Sequence, residues 1–188
     1  MKPFDSLKRG YHIFGIYYSK VLEFHDFRSF LRNGIDNNEL IIVFLENYSK
    51  DKFDKRVRDF INFCNRENYK RKGSIHLKAT EEWFHHTECS NSDKFFKKWE
   101  SLVFDAKKSG REGIRIFVET NKFMIEKFGN SLIIYDKILQ DLFDFPITSM
   151  YVYRKEDIQS MTPEQIAILN SSQGCSLDEL LVRYQYAL

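Results

Sequence analysis

Leu40-Ile41-Ile42-Val43-Phe44-Leu45 is an unbroken run of six apolar residues in a chain of 188. Six residues span a strand but fall short of an ordinary helix, and the absence of polar alternation suits a strand covered on both faces. The run therefore reads as the central strand of a mostly parallel sheet with helices on both sides. Its flanks agree. Upstream, Phe27, Phe30 and Leu31 stand at i, i+3 and i+4 within Asp26–Gly34, a helix for which Gly34 is the expected C-terminal cap. Before that, Tyr11 to Tyr18 is a β-branched and aromatic run that reads as a first strand.

Downstream of the central run, Phe53, Val57, Phe60, Ile61 and Cys64 mark a second helix, with Ser49 at its start. Gly73 turns the chain into Ile75, Leu77 and Ala79, which alternate with polar residues as in a half-covered strand. Phe95, Phe96, Trp99, Leu102, Val103 and Ala106 form the clearest amphipathic helix, beginning at Ser92. Gly110 and Gly113 lead into Ile114–Thr120, a strand closed by Glu119, and helical patterns follow from Asn121 to Phe128 and from Leu132 to Leu142. Ile147–Tyr153 is a further strand, Thr162-Pro163 a helix start, and Ser176–Tyr186 reads as a last helix. Strands alternating with helical crossovers predict an α/β fold with a predominantly parallel sheet and helices on both faces.

Composition sets the class. The chain is 43% hydrophobic and 30% charged, the balance of one globular domain, read here as spanning 1–188. A chain of this mass buries ~70% of its extended surface on folding, which supplies a core without disulfides. Eighteen Phe and ten Tyr against eight Gly and three Pro predict a core of aromatic plates. The net charge of +2 is too small to steer the whole molecule to nucleic acid or an anionic membrane. Cys64, Cys89 and Cys175 lack CxxC spacing and read as reduced thiols of a cytoplasmic protein, without a metal. The first residues are unlike a secretion signal, and no run of 18 apolar residues predicts a membrane span.

Nucleotide chemistry is conspicuous by its missing parts. A phosphate loop needs a second glycine and a Lys-Ser/Thr pair so that backbone N–H groups wrap phosphate. Here Gly15 is followed by Ile16, Tyr17, Tyr18, Ser19 and Lys20, which are bulky where small residues are required. GxGxxG is absent too. His85-His86, near Glu88 and Cys89, are adjacent rather than at ligand spacing and read as a surface loop. From Lys50 to Lys72 nine basic residues face four acidic ones, a local charge of +5, with Arg56, Arg58, Lys70, Arg71 and Lys72 as the group for a macromolecular contact. Glu119 at a strand end suits a ligand acceptor, a water-orienting acid or an ion-pair partner. Arg115 shares its face but sits ~13 Å away along the strand. His12 and Tyr17 lie at opposite ends and on opposite faces of the first strand.

The order of these landmarks resembles the MEDS family, the sensory domain of methanogen and methylotroph regulators, including the dichloromethane-responsive regulator. The likeness rests on YHIFGIYY with His12 and Tyr17, FLRNGIDNNELIIVF with Gly34 and Glu39, the Gly73-led strand, Ala106, Gly110, Gly113, Arg115 and Glu119, Tyr135-Asp136, and Tyr153. It spans about residues 10–170. Arg154 stands where an acid is common, and the usual His-Pro pair near residues 170–174 is missing. The resemblance implies a RecA-like core with a degenerate phosphate loop that has become a sensor. The expected function is a non-enzymatic signal-input domain that uses no cofactor and binds a small molecule or regulatory protein through the C-terminal rim of the sheet. His12, Tyr17, Arg115, Glu119 and Tyr153 are the expected ligand residues. A separate kinase or DNA-binding output protein, and a second copy in a homodimer, are the expected partners, with no membrane contact. The competing readings are a divergent nucleotide hydrolase in which Glu119 orients water, and an interaction module on the Lys50–Lys72 face.

Overall fold

The computed structural model describes residues 9–10, 12–17, 20–46, 51, 55, 58–59, 62, 75–80, 83, 92–120, 145–159, 161–164, 166–167 and 175–176. Its elements are β1 His12–Tyr17, α1 Lys20–Asp36, β2 Glu39–Leu45, β3 Ile75–Ala79, α2 Ser92–Lys108, β4 Gly113–Glu119, β5 Ile147–Arg154, α3 Lys155–Ile158 and β6 Cys175–Ser176. The strands form a six-stranded sheet in the order β3-β2-β4-β5-β1-β6. Every pairing is parallel. The expected α/β class with a parallel sheet and flanking helices is what the chain adopts.

The apolar run at 40–45 is central, as its composition demands. β2 lies between β3 and β4, and all seven of its residues are buried. Leu40, Ile42 and Phe44 face Trp99, Leu102, Val103 and Ala106 of α2. Ile41, Val43 and Leu45 face Phe27, Phe30 and Leu31 of α1. A strand covered by a helix on each side has no use for polar alternation. β3, at the edge, is only half buried over Ile75–Lys78, as expected of a half-covered strand.

Two helix ends differ from expectation. α1 begins at Lys20, six residues before Asp26, because no glycine or proline interrupts 20–33. Gly34 is a buried residue inside α1 and not its cap. The cap is Asn38, which takes the left-handed conformation at φ +57° and donates its N–H to Ile35 O at 3.1 Å. Asn is one of the few side chains that tolerate this conformation. Its Nδ2 then donates to Gly110 O at 2.9 Å, tying the end of α1 to the end of α2. At that second end Gly110 is at φ +69°, with Gly110 N–H donating to Lys107 O and Arg111 N–H to Ala106 O, each at 3.0 Å. That double closure is a Schellman turn, and it explains why glycine stands at 110.

Cys175–Ser176 is a short strand beside β1 where a helix start was expected. Among residues 49–64, Asp51, Lys55, Arg58, Asp59 and Asn62 are helical and exposed. The apolar residues expected to form that helix's inner face lie outside the described residues, as do the helices expected over 121–142 and 177–186. Pro163 opens a helical turn as expected, with Ile166 N–H donating to Thr162 O at 3.0 Å. No helix of the described residues is long and apolar enough to cross a membrane.

Candidate functional site

In a parallel sheet the strand ends of one polarity share an edge. Here the C-terminal edge carries Glu46 after β2, Thr80 after β3, Glu119 at the end of β4 and Thr120 after it, and Arg154 at the end of β5. β2 and β4 are neighbours, yet the chain travels one way across the sheet through β1, β2 and β3, then the other way through β4, β5 and β6. α1 accordingly packs on one face and α2 on the other. Strand ends at such a reversal form the crevice in which open α/β sheets gather ligands.

Three charged side chains converge there. Arg154 Nη2 lies 2.8 Å from Glu46 Oε2 and 3.4 Å from Glu119 Oε1. Glu119 Oε2 accepts the Glu46 backbone N–H at 2.7 Å. One guanidinium thus bridges two carboxylates whose side chains are each only 3% exposed, while the arginine itself is 29% exposed. Burial of two acids beside one cation is tolerable because each carboxylate accepts a charge-assisted hydrogen bond. The backbone is fastened around them. Thr80 Oγ1 donates to Glu119 O at 3.3 Å, and Thr120 donates to Val152 O through both its N–H at 3.0 Å and its Oγ1 at 2.5 Å.

The structure does not bring the five expected ligand residues together. Glu119 stands at the C-terminal rim. Tyr17 ends β1 at the same edge, its backbone in register with Arg154. His12 is at the other end of β1, in register with Ser149. Tyr153 is 2% exposed and belongs to the core on the α2 side. Arg115 is fully buried in the first half of β4, under α1. Its Nε donates to Glu39 Oε2 at 2.5 Å and its Nη1 to Phe30 O at 3.2 Å, and its guanidinium stacks 4.8 Å from the Phe30 ring centroid. Burial lowers the Arg115 pKa, with the Glu39 carboxylate opposing that shift. The expected convergence of Arg115 and Glu119 on one rim fails for a simple reason: four residues of extended strand separate them, and each finds an acid or base on a neighbouring strand.

Glu46 and Arg154 escaped the sequence reading as site residues. Both follow apolar strand runs directly, LIIVFL before Glu46 and MYVY before Arg154, which is the same signal that singled out Glu119. Arg154, a departure from the family pattern, is what neutralises Glu119. Of the expected basic contact group, Arg58 is exposed, and Arg56, Lys70, Arg71 and Lys72 lie outside the described residues. Among the described residues of this stretch, Lys55 and Arg58 are exposed beside the exposed acids Asp51 and Asp59.

Among the described residues no group of three or more His, Cys, Asp or Glu side chains is arranged to hold a metal ion. No curated protein and no solved structure matches the chain. The family model MEDS, described as MEthanogen/methylotroph, DcmR Sensory domain, matches residues 11–168. That match covers the first strand, the whole of the described sheet except β6, and all three residues of the Glu46–Arg154–Glu119 cluster. The chain therefore belongs to the MEDS family of sensory, non-catalytic domains.

Proposed function

We propose that this MEDS domain is a signal-input module that binds a small molecule or a regulatory protein at the C-terminal rim of its sheet. The observation that carries the reading is the Arg154 bridge between Glu46 and Glu119 at the strand-order reversal. A ligand with its own hydrogen-bonding or charged groups exchanges partners with this bridge, and the exchange moves the ends of β2, β4 and β5 together. Glu119 is the principal polar contact, with Arg154 and Glu46 beside it and Tyr17 on the adjoining strand. Arg115 and Tyr153 hold the strands that present the rim, and His12 stands at the far end of β1.

The strand order supports a RecA-like core, and the bulky residues after Gly15 support a core without a working phosphate loop. A module of this kind passes its signal to a kinase or DNA-binding protein on a separate chain, or to a second copy of itself. The unpaired spacing of its cysteines suits the cytoplasm. A thermal-shift screen of metabolites, ATP and GTP tests the reading. Binding there predicts hits whose stabilisation disappears in Glu119→Gln and weakens in Arg154→Met. Hits that survive both substitutions would place the ligand elsewhere. Magnesium-dependent ATP turnover lost in Glu119→Gln would return the domain to the hydrolases.

A further inference from the structure

On the α2 face of the sheet, beside the edge strand, two lysines share one indole. Lys78 Nζ of β3 lies 4.8 Å from the centroid of the Trp83 ring, and Lys98 Nζ of α2 lies 5.1 Å from it. Trp83 is braced by neighbours from two further positions, Phe44 of β2 at 5.4 Å and Trp99 of α2 in an edge-on contact at 6.0 Å. Three elements thus hold a half-buried aromatic surface and two cationic side chains in one place.

Neither lysine forms an ion pair among the described residues. On α2 the positions one turn from Lys98 are Lys94, Phe95, Ser101 and Leu102, none of them acidic. On β3 the same-face neighbour of Lys78 is His76, and its partner across the sheet is Phe44. The Lys98 pKa is lowered, first by burial and then by the Lys78 charge, as expected of two like charges held together. Cation–π attraction to a shared ring offsets only part of that repulsion. An anion is the partner that two ammonium groups held together in this way would favour.

We infer that Lys78, Lys98 and Trp83 form a binding site for a phosphate or carboxylate group, gripped by the two ammonium groups against the indole. Lysine suits this task as a flexible point charge with three donors. The indole face excludes water on one side and accepts the apolar or ring portion of the ligand that carries the anion. This site shares no residue with the proposed rim contacts and does not depend on them.

Both tryptophans of the chain, Trp83 and Trp99, lie in this cluster, so intrinsic fluorescence reports on it directly. The experiment titrates the full chain with inorganic phosphate, phenyl phosphate, acetate and benzoate, against sodium chloride at matched ionic strength. The site predicts a saturable fluorescence change for at least one phosphate or carboxylate, tighter for the ring-bearing member of its pair, and none with chloride. Lys78→Met and Lys98→Met each weaken binding severalfold, and the pair weakens it at least tenfold, whereas the exposed neighbour Lys97→Met leaves it unchanged. Far-UV circular dichroism and thermal melting establish that each variant is folded, with Lys→Gln variants replacing any that is not. Relative affinity for phosphate and carboxylate identifies the preferred anion. No saturable change with any of the four probes, or equal binding by the folded double variant, overturns the inference.

Discussion

Gly34→Ala sets two physical effects against each other in one position. In the interior of a helix, glycine is about 1 kcal/mol worse than alanine, so propensity alone makes the substitution stabilising. The structure reverses the sign. A Cβ built on Gly34 falls 2.7 Å from Arg115 Nε and 2.7 Å from Ile41 Cδ1, and closer still to Arg115 Cδ. Ile41 can rotate its terminal methyl away. Arg115 cannot yield as easily, because the same Nε donates to Glu39 Oε2 in a pair whose side chains are fully buried. Overpacking of this kind costs about 1–3 kcal/mol, and breaking a buried pair about 3–5 kcal/mol. Partial displacement of Arg115, set against the propensity gain, leaves a net loss of about 2 kcal/mol, or about 4–8 °C in Tm for a chain of this size. Thermal and urea melts followed by circular dichroism measure it. In a Glu39→Met/Arg115→Met background the methyl meets a mobile side chain with no ionic partner to hold, and Gly34→Ala becomes neutral or stabilising. Equal or higher stability of Gly34→Ala in the wild-type background would refute the reasoning.

The buried pair itself behaves asymmetrically. Glu39→Met alone strands the Arg115 guanidinium and costs about 3–5 kcal/mol, whereas Glu39→Met with Arg115→Met is close to neutral, and the double-mutant cycle in urea measures the coupling. Arg154→Met removes the bridge between two carboxylates that are nearly inaccessible and costs about 1–3 kcal/mol in the same assay, with no change in far-UV signal. Phe44→Ala opens the core beneath Trp83 and costs about 3–5 kcal/mol, with a shift of the tryptophan emission as its companion signature. Lys98 holds its proton less tightly than an ordinary lysine because of burial and the Lys78 charge. A lowered pKa in the folded state means that charged Lys98 weakens the fold at neutral pH, and that this penalty lifts as pH rises through the lowered pKa towards 10.5. Lys78→Met therefore raises the Lys98 pKa, a displacement read by NMR of the lysine side chains; an unchanged titration would deny the coupling.

Pattern in the chain was sufficient for the elements because strand burial and helix amphipathicity are written locally. The unbroken run Leu40–Leu45 declared its two-sided burial, the alternation at Ile75–Ala79 its edge position, and Phe96 to Ala106 the face that α2 turns to the sheet. Glu119 at the end of an apolar run announced a rim residue by the same logic. The order of the strands across the sheet is not local, and it alone puts Glu46, Glu119 and Arg154, drawn from three separate strands, within hydrogen-bonding reach of one another. Arg115 shows the converse. Its face and its distance from Glu119 were legible from strand geometry, but its partner, Glu39, is 76 residues away and became its neighbour only when β2 and β4 paired in register. Gly34 read as a helix end because glycine usually ends helices. It stands inside the helix, and glycine is there because a buried arginine from another strand occupies the space where a side chain would lie. Periodicity along one segment records which face is buried, while the identity of what covers it is a property of the packed sheet and helices together.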